Sequence, residues 1–147
     1  MHFGACVSTL NNENQSPLHF AAKYGRINSC LQILSSVNYK NFINEKDGEG
    51  CTPLHLAAQN GHSKVMKILL QKGALIFKNY KGNNPFHEAA KNSYTECMSI
   101  LYNIDINILD SVNKCGVTIT ISFHCSCYDL FSSTGYCNSF SNQRRAF

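Results

Sequence analysis

Apolar residues recur along the chain in paired bursts, and each pair predicts two short helices joined by a tight turn. The clearest is Leu54, Leu56, Ala57 and Ala58, then Gly61, then Val65-Met66-Lys67-Ile68-Leu69-Leu70 closed by Gly73-Ala74. The first burst makes one wide apolar face, and its two alanines let a neighbouring helix come close. Pro53 suits the first helical position, where its missing N–H has no intrahelical partner to lose. Thr52 just before it can cap the helix with its hydroxyl. Gly61 supplies the left-handed residue that stops the helix.

The phrase occurs twice more. Upstream it is Ser16-Pro17-Leu18-His19-Phe20-Ala21-Ala22-Lys23-Tyr24-Gly25, followed by Cys30-Leu31-Gln32-Ile33-Leu34. Downstream it is Asn84-Pro85-Phe86-His87-Glu88-Ala89-Ala90-Lys91-Asn92-Ser93, followed by Cys97-Met98-Ser99-Ile100-Leu101. Pro17, Pro53 and Pro85 are 36 and 32 residues apart, which brackets the roughly 33-residue ankyrin period. All 3 prolines and half of the 6 histidines (His19, His55 and His87) stand at one repeating position. The expected fold is all-α: an ankyrin-repeat solenoid of stacked helix-turn-helix units with finger loops.

This register divides the chain. Residues 1–15 match the tail end of a repeat, since Gly4-Ala5-Cys6-Val7 precedes Ser16-Pro17-Leu18-His19 much as Gly73-Ala74-Leu75-Ile76 precedes Asn84-Pro85-Phe86-His87. Met1 then falls inside a repeat, and a missing N-terminal portion is expected. Residues 16–116 hold about three repeats, 16–50, 51–82 and 83–116. The connector 36–50 is long and polar and predicts an extended finger with a turn at Asp47-Gly48. The third repeat is weaker. Asn84 stands for the threonine and Ser93 for the helix-ending glycine, at roughly 1 kcal/mol in a left-handed conformation. Gly116-Val117-Thr118 opens a further repeat that does not continue. From 117 to 147 there are 9 Ser/Thr, 3 cysteines and 3 charged residues. That composition predicts a poorly ordered, strand-prone tail, expected to come from a replaced C-terminus. With neither end properly capped, the isolated chain is expected to be marginally stable.

Composition narrows the function classes. Charged residues are 15% of the chain, against about 25% in ordinary domains, and the net charge of +4 is scattered. No basic block or nucleic-acid motif occurs, so no nucleic-acid partner is implied. The N-terminal residues lack a signal-peptide pattern, and no run of 18 apolar residues could span a bilayer. The expectation is a cytoplasmic protein with its 8 cysteines reduced. Cys30 and Cys97 sit in apolar rows, where cysteine acts as a small hydrophobe. Lys64, Lys67 and Lys72 lie on the outward side of their helix pair.

Candidate chemistry is sparse. His87-Glu88-Ala89-Ala90-Lys91 begins like the zinc-protease His-Glu-x-x-His pattern, but Lys91 occupies the second ligand position and the motif fails. His124, Cys125 and Cys127, with Cys115 or Cys137, contain zinc-ligand types, but Cys-x-Cys is not the usual knuckle. Catalytic, cofactor and metal residues are therefore expected to be none. An enzyme built on the His/Cys-rich tail remains the competing class. The structural positions are Pro17, His19, Gly25, Thr52, Pro53, His55, Gly61, Pro85 and His87, with the imidazoles expected to bond backbone groups of the connecting loops. Partner contacts are expected on the fingers, at Asn44, Glu45, Lys46, Asp47 and Glu49 and at Phe77, Lys78, Asn79, Tyr80 and Lys81.

Two stretches are more specific than generic ankyrin sequence. They are Ser16 to Cys30, and Gly50-Cys51-Thr52-Pro53-Leu54-His55-Leu56-Ala57-Ala58-Gln59-Asn60-Gly61-His62-Ser63-Lys64-Val65 running on to Leu69-Leu70-Gln71-Lys72-Gly73-Ala74-Leu75. Across roughly residues 4–116 the chain resembles the cytoplasmic ankyrin array of the A-subfamily transient receptor potential cation channels. The resemblance implies a parent that is a tetrameric, calcium-permeable sensory channel of the plasma membrane. This chain would be a piece of its cytoplasmic domain, not conducting by itself, with other repeats or subunits as partners. The pore is not carried across, and the electrophile-reactive cysteines of that family lie beyond its ankyrin array. A soluble ankyrin adaptor binding a protein partner is the alternative.

Overall fold

The computed structural model describes residues 9–105. The Ser/Thr/Cys-rich tail, the zinc-ligand candidates and the start of a further repeat at Gly116 lie outside them. The elements are α1 (Pro17–Lys23), α2 (Ile27–Leu34), α3 (Tyr39–Phe42), α4 (Pro53–Gln59), α5 (Ser63–Gln71), α6 (Pro85–Lys91) and α7 (Thr95–Ile104). The described residues contain no strand, and the all-α expectation holds for them.

The helices form two rows. α1, α4 and α6 pack in sequence as the inner row, α2, α5 and α7 as the outer row, and each inner helix packs on its outer partner. No pair could bury its apolar face alone; stacking makes one continuous core. Leu18, Leu54 and Phe86 are fully buried at one repeating position, and Cys30, Met66 and Met98 at another. Each such aliphatic or aromatic side chain contributes about 1.5–3 kcal/mol relative to exposure. The alanine pairs 21/22, 57/58 and 89/90 are buried as expected.

Helix ends follow the repeat register. Pro17, Pro53 and Pro85 open the three inner helices. Each inner helix closes in a Schellman motif. In α4, His62 N–H reaches Ala57 O at 2.9 Å and Gly61 N–H reaches Ala58 O at 3.3 Å. Gly25 and Gly61 are left-handed, with φ of 64° and 73°, and Ser93 adopts the same conformation at 59°. Ser93 thus takes the strained position the sequence assigned to it.

The connector 36–50 differs from expectation. Its first half is not an extended polar finger: it coils into α3, and Ile43 drops into the core at 2% exposure. Ile43 is the apolar anchor that the surrounding Asn and Lys residues conceal in the sequence. The turn at Asp47-Gly48 is present.

Candidate functional site

Each finger is built on one Asn or Asp carboxyl or amide oxygen that gathers the backbone of its own turn. Asn11 Oδ1 accepts the N–H groups of Glu13 and Gln15, both at 2.9 Å. Asp47 Oδ1 accepts those of Glu49 at 2.9 Å and Cys51 at 2.8 Å. Asn79 Oδ1 accepts those of Lys81 and Asn83, both at 3.0 Å. This is Asx-turn chemistry, in which a short side chain stands in for a backbone acceptor. The fingers are also joined to one another, Gly48 N–H to Glu13 O at 2.8 Å and Tyr80 N–H to Glu49 O at 3.1 Å.

Two of the expected contact residues are therefore committed elsewhere. Asp47 and Asn79 are 5% and 6% exposed, because their side chains turn inward to organise the loop. Their polarity in a loop suggested a surface role; the signal that separates them is an Asn or Asp six residues before each proline, at 11, 47 and 79. Asn44 is half-buried and its Oδ1 accepts the N–H of Leu75 at 2.8 Å. Glu45 is half-buried. The remaining candidates, Lys46, Glu49, Phe77, Lys78, Tyr80 and Lys81, are exposed and form one strip. Lys46 Nζ lies 5.5 Å from the Phe77 ring centroid and donates to Lys78 O at 3.2 Å. Tyr80 lies against Gly50, where an added Cβ would come within 2.7 Å of its ring. Lys81 and Glu49 approach to 3.8 Å, both mostly exposed, a geometry that adds little stability.

The repeat histidines lock neighbouring units together. Thr52 N–H donates to His55 Nδ1 at 3.1 Å, and the Thr52 hydroxyl lies 2.9 Å from the same nitrogen. A backbone N–H can only donate, so Nδ1 accepts and the proton sits on Nε2. Nε2 then donates to Asn83 O at 3.0 Å. His19 repeats this with Ser16 N–H at 3.1 Å and Cys51 O at 3.1 Å. In each case the ring takes the place that Glu or Gln holds in an ordinary capping box. In α6 the Asn84 side-chain oxygen accepts His87 N–H at 3.0 Å, so asparagine serves as the cap. Burial lowers the His55 pKa to about 4 against a smaller raising effect of the Asn83 carbonyl. The same cause lowers that of His19.

One polar group was not foreseen as structural. Glu88, 6% exposed, occupies the inner-helix position held by Phe20 and Leu56. Its Oε1 accepts Asn79 Nδ2 at 3.1 Å and Asn83 Nδ2 at 2.9 Å, and its Oε2 lies 3.5 Å from Lys91 Nζ. It ties the third finger to α6. The thiols of Cys30, Cys51 and Cys97 are buried, and burial pushes each up to about 11, which suits packing rather than nucleophilic use. Lys64, Lys67 and Lys72 are exposed as expected; Lys67 pairs with Glu96 at 3.4 Å. Among the described residues no helix is long and apolar enough to cross a membrane.

Comparison with known proteins agrees with this architecture. The family described as ankyrin repeats (3 copies) matches residues 18–110. Transient receptor potential cation channel subfamily A member 1 of Homo sapiens is 47% identical over 78 residues, covering 53% of this chain and 7% of the channel. Its Drosophila melanogaster counterpart is 46% identical over 118 residues, covering 80% of this chain and 10% of the channel. The human ankyrin repeat and SOCS box protein 3 is 40% identical over 72 residues, 48% of this chain and 14% of that protein. The chain thus spans a tenth or less of the length of the channels it resembles.

Proposed function

Because the chain belongs to the ankyrin-repeat family, and such repeats are protein-interaction modules, we propose that it serves as part of the cytoplasmic ankyrin domain of a transient receptor potential channel of the A subfamily. It does not conduct. It stacks with further repeats or subunits on the cytoplasmic face of the plasma membrane and presents the finger strip to a protein partner. Lys46, Glu49, Phe77, Lys78, Tyr80 and Lys81 carry the contact. Asp47, Asn79 and Glu88 hold those loops in shape beforehand, which lowers the ordering cost of binding.

The observation that carries this reading is the alignment with the fly channel, which runs across 80% of the chain. The match to the SOCS box adaptor covers under half of it and supports a soluble adaptor as the second reading. Long-read sequencing of transcripts from the locus tests the two. Reads that continue into six hydrophobic segments support the channel; reads that encode ankyrin repeats with no such segments overturn it in favour of the adaptor.

A further inference from the structure

The fold gathers positive charge that the sequence spreads out. Lys46 and Lys78 stand at one register position, just before the Asp47 and Asn79 that organise their turns, and Lys81 follows Asn79 closely. Lys46 leans from the second finger onto the third, with Nζ 3.2 Å from Lys78 O and 5.5 Å from the Phe77 ring centroid. Lys46, Lys78 and Lys81 are all exposed, so their ammonium groups gather around one finger. The acids of the same region face inward. Asp47 and Glu88 are 5% and 6% exposed and accept backbone or amide N–H groups. One Glu45 oxygen is buried. Glu49, 3.8 Å from Lys81, is the exposed counter-charge. The first finger differs: the register equivalents of Lys46 and Lys81 there are Leu10 and Glu13. Phe77 and Tyr80, 37% and 59% exposed, supply apolar area beside the lysines.

We propose that the third finger, with Lys46 laid across it, binds a short acidic segment of a protein partner that carries an apolar side chain beside its carboxylates. The carboxylates pair with Lys46, Lys78 and Lys81, and the apolar side chain packs on Phe77 and Tyr80. A lysine ammonium is a compact charge with rotatable donors, which suits carboxylates held in no single geometry. The described fingers contain no arginine, the side chain suited to bidentate phosphate contacts. Lys46 covers one face of Phe77, which a stacked base would need open. Glu13 and Glu49, exposed on the same row of fingers, repel a broad anionic surface, whereas a short segment avoids them. The finger is ordered beforehand: Asn79 Oδ1 accepts the N–H groups of Lys81 and Asn83, and Glu49 O accepts that of Tyr80. This assignment rests on the reading of the finger strip as a contact face and is independent of which parent protein carries the repeats.

The test selects a random-peptide display library on the full chain and measures the enriched peptides by fluorescence anisotropy. The expected binders are rich in Asp and Glu around an apolar residue. Reversing Lys46, Lys78 and Lys81 together to Glu weakens them at least about tenfold, as does salt at about 1 M, where the screening length is about 3 Å. Reversing Lys64, Lys67 and Lys72 on the outer row, an equal change of charge, leaves them bound; thermal melts show that each variant keeps the fold. Neutral or basic binders that are lost with Phe77→Ala and Tyr80→Ala overturn the acidic class while the strip stands as a contact face. Binders indifferent to all five strip positions, or weakened equally by the outer-row reversal, overturn both. Phosphatidylserine vesicles or single-stranded RNA bound more tightly than any peptide, and released by the finger reversal, replace the acidic segment with that ligand. Absence of any enriched peptide also overturns the proposal, without bearing on whether the repeats belong to a channel.

Discussion

His55 Nε2 lies 3.0 Å from the carbonyl oxygen of Asn83, so a side chain in the first turn of one inner helix holds the end of the next finger. The other ring nitrogen accepts Thr52 N–H. One fully buried imidazole therefore satisfies a donor in its own repeat and an acceptor in its neighbour. His55→Ala leaves both groups unpaired in the interior. The expected loss is about 3 kcal/mol, from two buried polar groups at 1–3 kcal/mol each. Urea unfolding of the two proteins measures it; a loss under 1 kcal/mol would mean that water replaces the ring.

The same histidine makes stability depend on pH. Its pKa is about 4 in the folded chain, against 6.5 ordinarily, because burial disfavours the charged ring. Between those values the unfolded chain binds the proton and the folded chain does not, so stability falls as pH drops through 6.5 toward 4. From pH 7.5 to 5, His55 alone removes about 2 kcal/mol, and His19 acts in the same direction. Unfolding midpoints across that range, compared with His55→Gln, isolate the contribution: the variant is less stable at neutral pH but shows a flatter pH dependence.

The finger acids test a different division of labour. Asp47 uses one oxygen to accept two turn N–H groups, as Asn11 and Asn79 do. Asp47→Asn keeps that oxygen and is expected to change stability by under about 0.5 kcal/mol. Asp47→Ala removes it and costs about 2 kcal/mol. Lys46→Ala and Tyr80→Ala, on the exposed strip, are expected to weaken partner binding while moving the unfolding midpoint less than Asp47→Ala does. Thermal melts beside binding assays separate the two groups.

Much of this was legible because it repeats. Three prolines, three histidines and two glycines at one register fix helix starts, helix stops and the inter-repeat lock, since each has a single local job. The fingers were legible in place but not in role. Asp47 and Asn79 look like surface residues until their spacing to the proline is noticed, and their burial depends on the turn they themselves create. α3 was missed because four residues carry too little periodicity to signal a helix. Glu88 was missed because a charged residue at an apolar register position looks like a decayed repeat; only the amides of Asn79 and Asn83, brought to it by the fold, make it a clamp.

The helix-ending position yields the last pair of predictions. Gly61 has φ of 73°, and an added Cβ would stand 2.6 Å from the Tyr94 ring. Gly61→Ala therefore meets both a left-handed backbone penalty of about 1 kcal/mol and an overpacking cost of 1–3 kcal/mol. A loss of about 2–3 kcal/mol is expected. Pairing it with Tyr94→Ala relieves the second cost, so the double variant loses less than the sum of the two single variants. Ser93 stands at the equivalent end of α6 with φ of 59° and is exposed. Ser93→Gly removes the left-handed strain, partly offset by the greater freedom that glycine gives the unfolded chain. The net gain is about 0.5–1 kcal/mol. The two substitutions thus move in opposite directions at one structural position, and urea midpoints decide it: if Ser93→Gly lowers stability, backbone strain is not what weakens the third repeat.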